Sequence, residues 1–112
     1  MAKSLRVFLL LLTMTESQVN SWILLAIALA TKESPAKINA ISEIADGINH
    51  AVPTQKELQT SIRWLINNQL IIKKGKYYNI TENGSNLMSK AETNSEYLSG
   101  IWKALEQEVL SL

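Results

Sequence analysis

The side chains best suited to chemistry in this sequence are the amides and cations in the segment that follows Pro53. In a helix, at about 100° per residue, they share one broad face and a flank that carry no acid. The set comprises Gln55, Lys56, Gln59, Thr60 and Arg63, with Thr54 at its start. Amide and guanidinium groups hydrogen-bond to base edges in the major groove of DNA, and cations contact phosphates. The alternative is an ordinary solvated helix face, which the lack of acids disfavours.

A second cluster of positive charge follows shortly afterwards and comprises Lys73, Lys74 and Lys76. These lysines surround Gly75, which can adopt a positive φ, and they separate two β-rich runs, 70–72 and 77–81. The pattern predicts a hairpin with a basic turn at its tip, and one of Tyr77 and Tyr78 facing outwards. The lysines could contact phosphates, or they could be solvated residues that discourage edge-to-edge association of the hairpin.

Local sequence also predicts the helix that positions the first set. Thr54 and Glu57 have the spacing of a capping box, in which each side chain bonds to the backbone N–H of the other residue. The apolar residues that follow recur at i, i+4, i+7 and i+8, namely Leu58, Ile62, Leu65 and Ile66. This period predicts an amphipathic helix over residues 54–68 whose polar face lies opposite its buried face.

The sequence after this helix resembles the winged helix-turn-helix domains of MarR-like and PadR-like bacterial transcription regulators. The shared pattern is L-I-x-x-x-G-x-Y-x-I-T-x-x-G, met here by Leu70, Ile71, Gly75, Tyr77 or Tyr78, Ile80, Thr81 and Gly84. Residues 41–49 resemble the first helix of a helix-turn-helix, and the likeness covers residues from about 20 to 90. The resemblance implies that helix 54–68 enters the major groove while residues 73–76 lie on the DNA backbone or in the minor groove.

The rest of the chain reads as a helical body. Helices are predicted at about 4–14, 18–31 and 38–49, followed by a helical region that starts at Glu82 with Thr81 as its cap. His50 falls in the turn before helix 54–68, and polar residues at 93–95 predict a break before the last helix. The fold class is therefore mainly α with a small β-hairpin, a winged helix-turn-helix core with terminal helices. Three parts are expected: an N-terminal apolar helix at 1–17, a winged-helix domain at 18–92 and a C-terminal helix at 93–112.

The N-terminal region partly imitates a targeting signal. Lys3 and Arg6 precede a short apolar run at 7–12, but no cleavage site of small residues follows. Polar residues at 15–21 separate this run from the apolar run at 22–30, so neither has the about 20 apolar residues of a membrane span. The expectation is two buried helices and no membrane attachment.

Charge is distributed unevenly along the chain, although the formal net charge is only +1. Residues 54–78 carry five basic residues against Glu57 alone, whereas residues 79–112 carry two basic residues against five acids. Positive charge therefore coincides with the predicted helix and hairpin, where counterion release would favour phosphate contact.

Catalysis and metal binding find little support in the composition. The chain has no cysteine, which excludes a Cys–His set and a cysteine-based zinc site, and no Ser–His–Asp set is evident around its one histidine. Glu43 and Asp46 form a carboxylate pair on one helix face, and solvation of that face explains them. We predict no enzymatic activity, no catalytic residue, no metal and no cofactor. Nothing indicates an oxidising compartment, and the predicted location is the cytoplasm.

Apolar residues outside the predicted core indicate self-association. They comprise Leu5, Phe8, Leu9 and Leu12 before the core, and Leu98, Ile101, Trp102, Leu105 and Val109 after it. A 112-residue monomer would have difficulty covering both stripes, which predicts a homodimer paired through its terminal helices. The predicted function is sequence-specific binding of double-stranded DNA by a homodimeric transcription regulator. The alternative is a winged-helix module that binds a partner protein and no DNA. No convergent polar cluster identifies a small-molecule effector.

Overall fold

The computed structural model describes residues 14–112, which form five α-helices and one two-stranded antiparallel β-hairpin. In chain order the elements are α1 (Glu16–Ala30), α2 (Ile38–Asn49), α3 (Gln55–Asn67), β1 (Ile71–Lys74), β2 (Tyr77–Ile80), α4 (Glu82–Glu92) and α5 (Leu98–Leu110). This architecture confirms the predicted mainly α fold with a small β-hairpin. The helix predicted at about 4–14 lies outside the described residues except for Met14, and so do the apolar residues Leu5, Phe8, Leu9 and Leu12.

Helix α1 is the centre of the core. It begins two residues before the predicted start because Thr15 caps it. Thr15 Oγ1 accepts from the Gln18 N–H at 3.1 Å, and Gln18 Oε1 accepts from the Thr15 N–H at 2.7 Å. Residues 22–27 are completely buried, which explains why this run is apolar on every side. Within residues 14–112, no helix combines the length and the apolar character needed to cross a membrane.

Helix α2 has the predicted bounds and is held against α1 by a buried hydrogen bond. Trp22 Nε1 donates to the carbonyl oxygen of Ala45 at 2.8 Å. The helix ends at Asn49, and the next residue, His50, is exposed and adopts a left-handed conformation with φ 55°. Its N–H donates to the Asp46 carbonyl at 2.7 Å, so His50 is the C-terminal capping residue of α2.

Helix α3 ends in a Schellman motif that directs the chain into the hairpin. Gln69 adopts φ 60°, and its N–H donates to the Ile66 carbonyl at 3.0 Å. The Leu70 N–H donates to the Leu65 carbonyl at 3.0 Å, and both leucine side chains are buried. The end of α3 and the start of β1 are therefore fixed relative to each other.

The hairpin is closed by a two-residue turn, Gly75–Lys76, in which Gly75 has the anticipated positive φ of 62°. The prediction that Lys73 and Lys74 belong to this turn is wrong. Both residues continue β1, because Lys73 pairs with Tyr78 and Lys74 pairs with Tyr77 in the ladder. Only Lys76 lies in the turn itself.

A third backbone segment joins the hairpin through an isolated β-bridge that the sequence did not predict. The Ala36 N–H donates to the Tyr78 carbonyl at 3.0 Å, and the Tyr78 N–H donates to the Ala36 carbonyl at 2.8 Å. The bridge places the start of α2 directly beside β2. Lys37, the next residue, is the N-cap of α2, and its side chain makes no capping hydrogen bond.

Helix α4 begins as predicted, with Thr81 Oγ1 accepting from the Gly84 N–H at 3.1 Å. Gly84 marks a close approach between this helix and the segment that joins α3 to β1. A Cβ atom at this position would collide with the carbonyl oxygen of Leu70 and with the side chain of Ile80. The glycine of the sequence pattern is therefore required by packing.

Helix α5 folds back onto α1 and α4. The rings of Trp102 and Trp22 lie 6.2 Å apart between centroids, and Trp102 Nε1 donates to the Gln18 carbonyl and to Ser21 Oγ, each at 3.1 Å. The break predicted near residues 93–95 is confirmed, because α4 ends at Glu92 and α5 begins at Leu98. The prediction that a single chain leaves the C-terminal stripe uncovered is wrong for Leu105 and Val109, which are 0% and 4% exposed.

Candidate nucleic-acid interface

The outer face of α3 carries the polar set predicted from the sequence, and every member of it is exposed. These residues are Gln55, Lys56, Gln59, Thr60 and Arg63. The opposite face is buried through Leu58, Ile62 and Leu65, together with Ser61, whose burial the sequence pattern did not indicate. Because the core holds one side of the helix, the polar side is presented to solvent as a fixed row of donors and cations.

The start of α3 is fixed by the predicted capping box. Thr54 Oγ1 accepts from the Glu57 N–H at 3.0 Å, and Glu57 Oε1 accepts from the Thr54 N–H at 2.9 Å. The only carboxylate of the helix is thus engaged with the helix start. Thr54 is itself exposed, and its hydroxyl oxygen accepts the capping hydrogen bond. The hydroxyl proton therefore remains available to an external acceptor.

The hairpin divides its lysines between two faces, since residues paired across antiparallel strands share a face. Lys73 lies on the inner face with Tyr78, which is buried, and Lys73 Nζ is 5.5 Å from the centroid of that ring. Lys74 lies on the outer face with Tyr77, which is 47% exposed. The prediction that one tyrosine packs and the other faces outwards is confirmed.

The side chain of Lys37 lies beside the basic hairpin, a position that no sequence pattern indicated. Its Nζ lies 5.5 Å from the centroid of the Tyr77 ring, within cation–π range. The backbone bridge between Ala36 and Tyr78 brings it there from a position forty residues away along the chain. The one available signal was the short extended stretch after Pro35, which has no local pattern that would name its pairing partner.

Residues 14–112 contain neither a metal-binding cluster nor an unpartnered buried polar side-chain atom. No group of three or more histidine, cysteine, aspartate or glutamate side chains is placed to hold a metal ion in this part of the chain. Every buried side-chain nitrogen or oxygen atom that the structure describes has a hydrogen-bond partner. An open depression lies at the junction of α4 and α5, lined by Asn94, Ser95, Gly100, Lys103, Ala104, Gln107 and Glu108.

Comparisons with models of known protein families, with curated proteins and with solved structures found no significant match to this chain.

Proposed function

We propose that this chain is a winged-helix protein that binds double-stranded DNA and regulates transcription as a homodimer in a bacterial or archaeal cytoplasm. The observation that carries the proposal is the outer face of α3. Its polar residues are all exposed, and two of them, Lys56 and Arg63, are cationic. The one acid of the helix, Glu57, is bonded to the helix start. Such a face offers hydrogen-bond donors to base edges and positive charge to phosphates.

The dimensions of α3 also support this proposal. Thirteen residues at about 1.5 Å per residue give a helix about 20 Å long. A major groove about 12 Å wide accepts a single α-helix. In this arrangement the residues that read the groove are Gln55, Lys56, Gln59, Thr60 and Arg63. The Schellman motif at Gln69 links this helix rigidly to the hairpin, whose Lys73, Lys74 and Lys76 contact the backbone or the minor groove.

The direct test is fluorescence anisotropy with random-sequence duplex DNA at about 50 and 200 mM salt, a range over which phosphate contacts dominate affinity. We expect binding that weakens steeply with salt. Arg63→Ala and the triple variant Lys73→Ala/Lys74→Ala/Lys76→Ala should each weaken binding, and the triple variant should reduce the salt slope by up to about 0.9 per lost contact. Circular dichroism should show unchanged folding, since all four residues are exposed.

A second candidate function is binding of a partner protein without DNA. It is favoured by large apolar side chains exposed around α5, with Tyr97 at 77%, Leu98 at 44% and Leu110 at 59%. Exposed apolar groups mark a protein contact surface where they form a contiguous patch, as the neighbouring Tyr97 and Leu98 begin to do. The two functions separate cleanly in the anisotropy experiment, because an absence of binding at about 50 mM salt would reject the DNA proposal and leave the partner-protein function.

A further inference from the structure

The outer face of the hairpin contains a row of three side chains contributed by three backbone segments. Ala36 pairs with Tyr78, so the next position in that antiparallel register sets Lys37 opposite Tyr77. On the other side, Lys74 pairs with Tyr77 across the hairpin. Because opposed residues share a face, Lys37, Tyr77 and Lys74 form a transverse row with the ring in the middle.

The Tyr77 ring makes a cation–π contact with one of the two lysines, Lys37. Lys37 Nζ lies 5.5 Å from the Tyr77 centroid, and Tyr77 keeps about half of its surface exposed, at 47%. Lys37 and Lys74 are themselves exposed. An ammonium group held over an aromatic face loses some of its freedom while it keeps its charge available to an anion.

We propose that Lys37 contacts a DNA phosphate, and that Tyr77 positions it for that contact. This inference rests on the proposed function and extends its contact surface from α3 and the hairpin to the start of α2. Lys37 and Lys74 then act from two sides of Tyr77 on the same stretch of backbone. The contact is independent of base sequence, since phosphate contacts orient a protein on DNA and bases supply the specificity.

The experiment compares the salt dependence of binding to random-sequence duplex DNA for Lys37→Ala, for Lys103→Ala and for the wild-type chain. Lys103 is an exposed lysine, so Lys103→Ala removes the same charge as Lys37→Ala. It lies on α5, which packs on α1 and α4 and is not part of the proposed DNA contact surface. We expect Lys37→Ala to reduce the magnitude of the salt slope by about 0.9 for each bound protomer, and Lys103→Ala to leave the slope unchanged. Between about 50 and 200 mM salt, this difference corresponds to about a 3.5-fold smaller loss of affinity for one bound protomer, and to about a 12-fold smaller loss for a bound homodimer.

Two variants of Tyr77 test its positioning role. Tyr77→Phe keeps the aromatic face and should retain wild-type affinity, whereas Tyr77→Leu removes that face and should weaken binding. Combined with Lys37→Ala, the Tyr77→Leu change should have no additional effect. Strictly additive effects of the two changes would overturn the positioning role.

The outcomes distinguish this inference from the proposed function. If the wild-type chain binds DNA and Lys37→Ala has the same salt slope as Lys103→Ala, the Lys37 contact is wrong while the DNA-binding function stands. If Lys37→Ala lowers only thermal stability, the residue is a packing partner of Tyr77 and the inference is equally wrong. If the wild-type chain does not bind DNA at either salt concentration, the proposed function fails and this inference fails with it.

Discussion

At the scale of single residues, two glycines in helices have opposite environments, although both interrupt otherwise helical sequence. Gly84 lies against the Leu70 carbonyl and the Ile80 side chain, so a methyl group there has no room. Gly47 lies within α2, and a Cβ atom at that position would meet nothing within 4 Å. The first glycine is required by packing, whereas the second only weakens its helix.

This contrast predicts opposite changes in the free energy of unfolding. Gly84→Ala should destabilise the protein by about 1–3 kcal/mol, the usual cost of overpacking. Gly47→Ala should stabilise it by up to about 1 kcal/mol, because alanine is the better helix former. Urea denaturation followed by circular dichroism measures both changes. A neutral Gly84→Ala variant would mean that α4 can move away from Leu70 without cost.

At the scale of elements, α5 is part of the core. Trp102 packs on Trp22 and donates to the backbone of α1, and Leu105 is completely buried. The sequence predicted residues 93–112 as a separate C-terminal part for dimerisation. Helix α5 within this part contributes to the interior of the single chain, in addition to the proposed contact between chains. The same helix also carries exposed apolar side chains near its two ends, Leu98 and Leu110, which are free for a contact between chains.

The core role of α5 predicts that Leu105→Ala lowers the free energy of unfolding by about 2–5 kcal/mol, as expected for a buried leucine. The control is Val52→Ala, which shortens a side chain that is 67% exposed and lies outside α5, and it should change stability by less than about 0.5 kcal/mol. If Leu105 were buried mainly between chains, its effect would increase with protein concentration. We expect the loss to be the same at low and high concentration in urea titrations.

At the scale of the whole molecule, the proposed homodimer depends on the apolar groups that the single chain leaves exposed. On α5 these are Leu98 and Leu110, with Tyr97 and Leu112 just beyond its ends. Burial of such groups against a second copy would place two α3 helices on one assembly. It would also duplicate the basic surface, which strengthens attraction to DNA.

Sedimentation velocity tests this assembly. We expect the wild-type chain to sediment at twice its 12.5 kDa mass. The variant Leu98→Asp/Leu110→Asp should shift the species to the monomer, because charge at a closed apolar contact is costly. Helical content should remain unchanged, since neither side chain is in the buried core. A wild-type chain that stays monomeric at all accessible concentrations would contradict the proposed homodimer.

The sequence by itself determined those features that depend on neighbours a few positions apart. The buried and exposed faces of α3, the capping box at Thr54 and the positive φ of Gly75 all follow from local spacing or local backbone geometry. The predicted interface residues on α3 were found exposed for the same reason. Lys73 and Lys74 were misassigned to the turn because ladder pairing, rather than composition, sets where a strand ends.

Only the tertiary structure decided which distant residues meet. The bridge between Ala36 and Tyr78 brings Lys37 to Tyr77, and the return of α5 onto α1 buries Leu105 within its own chain. Hydrophobic periodicity indicates that a face is buried, but it does not identify what covers that face, because apolar attraction is non-directional. The packing of the whole domain determines which surface covers each apolar face. The sequence pattern alone therefore assigned Leu105 and Val109, which belong to the core of one chain, to a contact with a second chain.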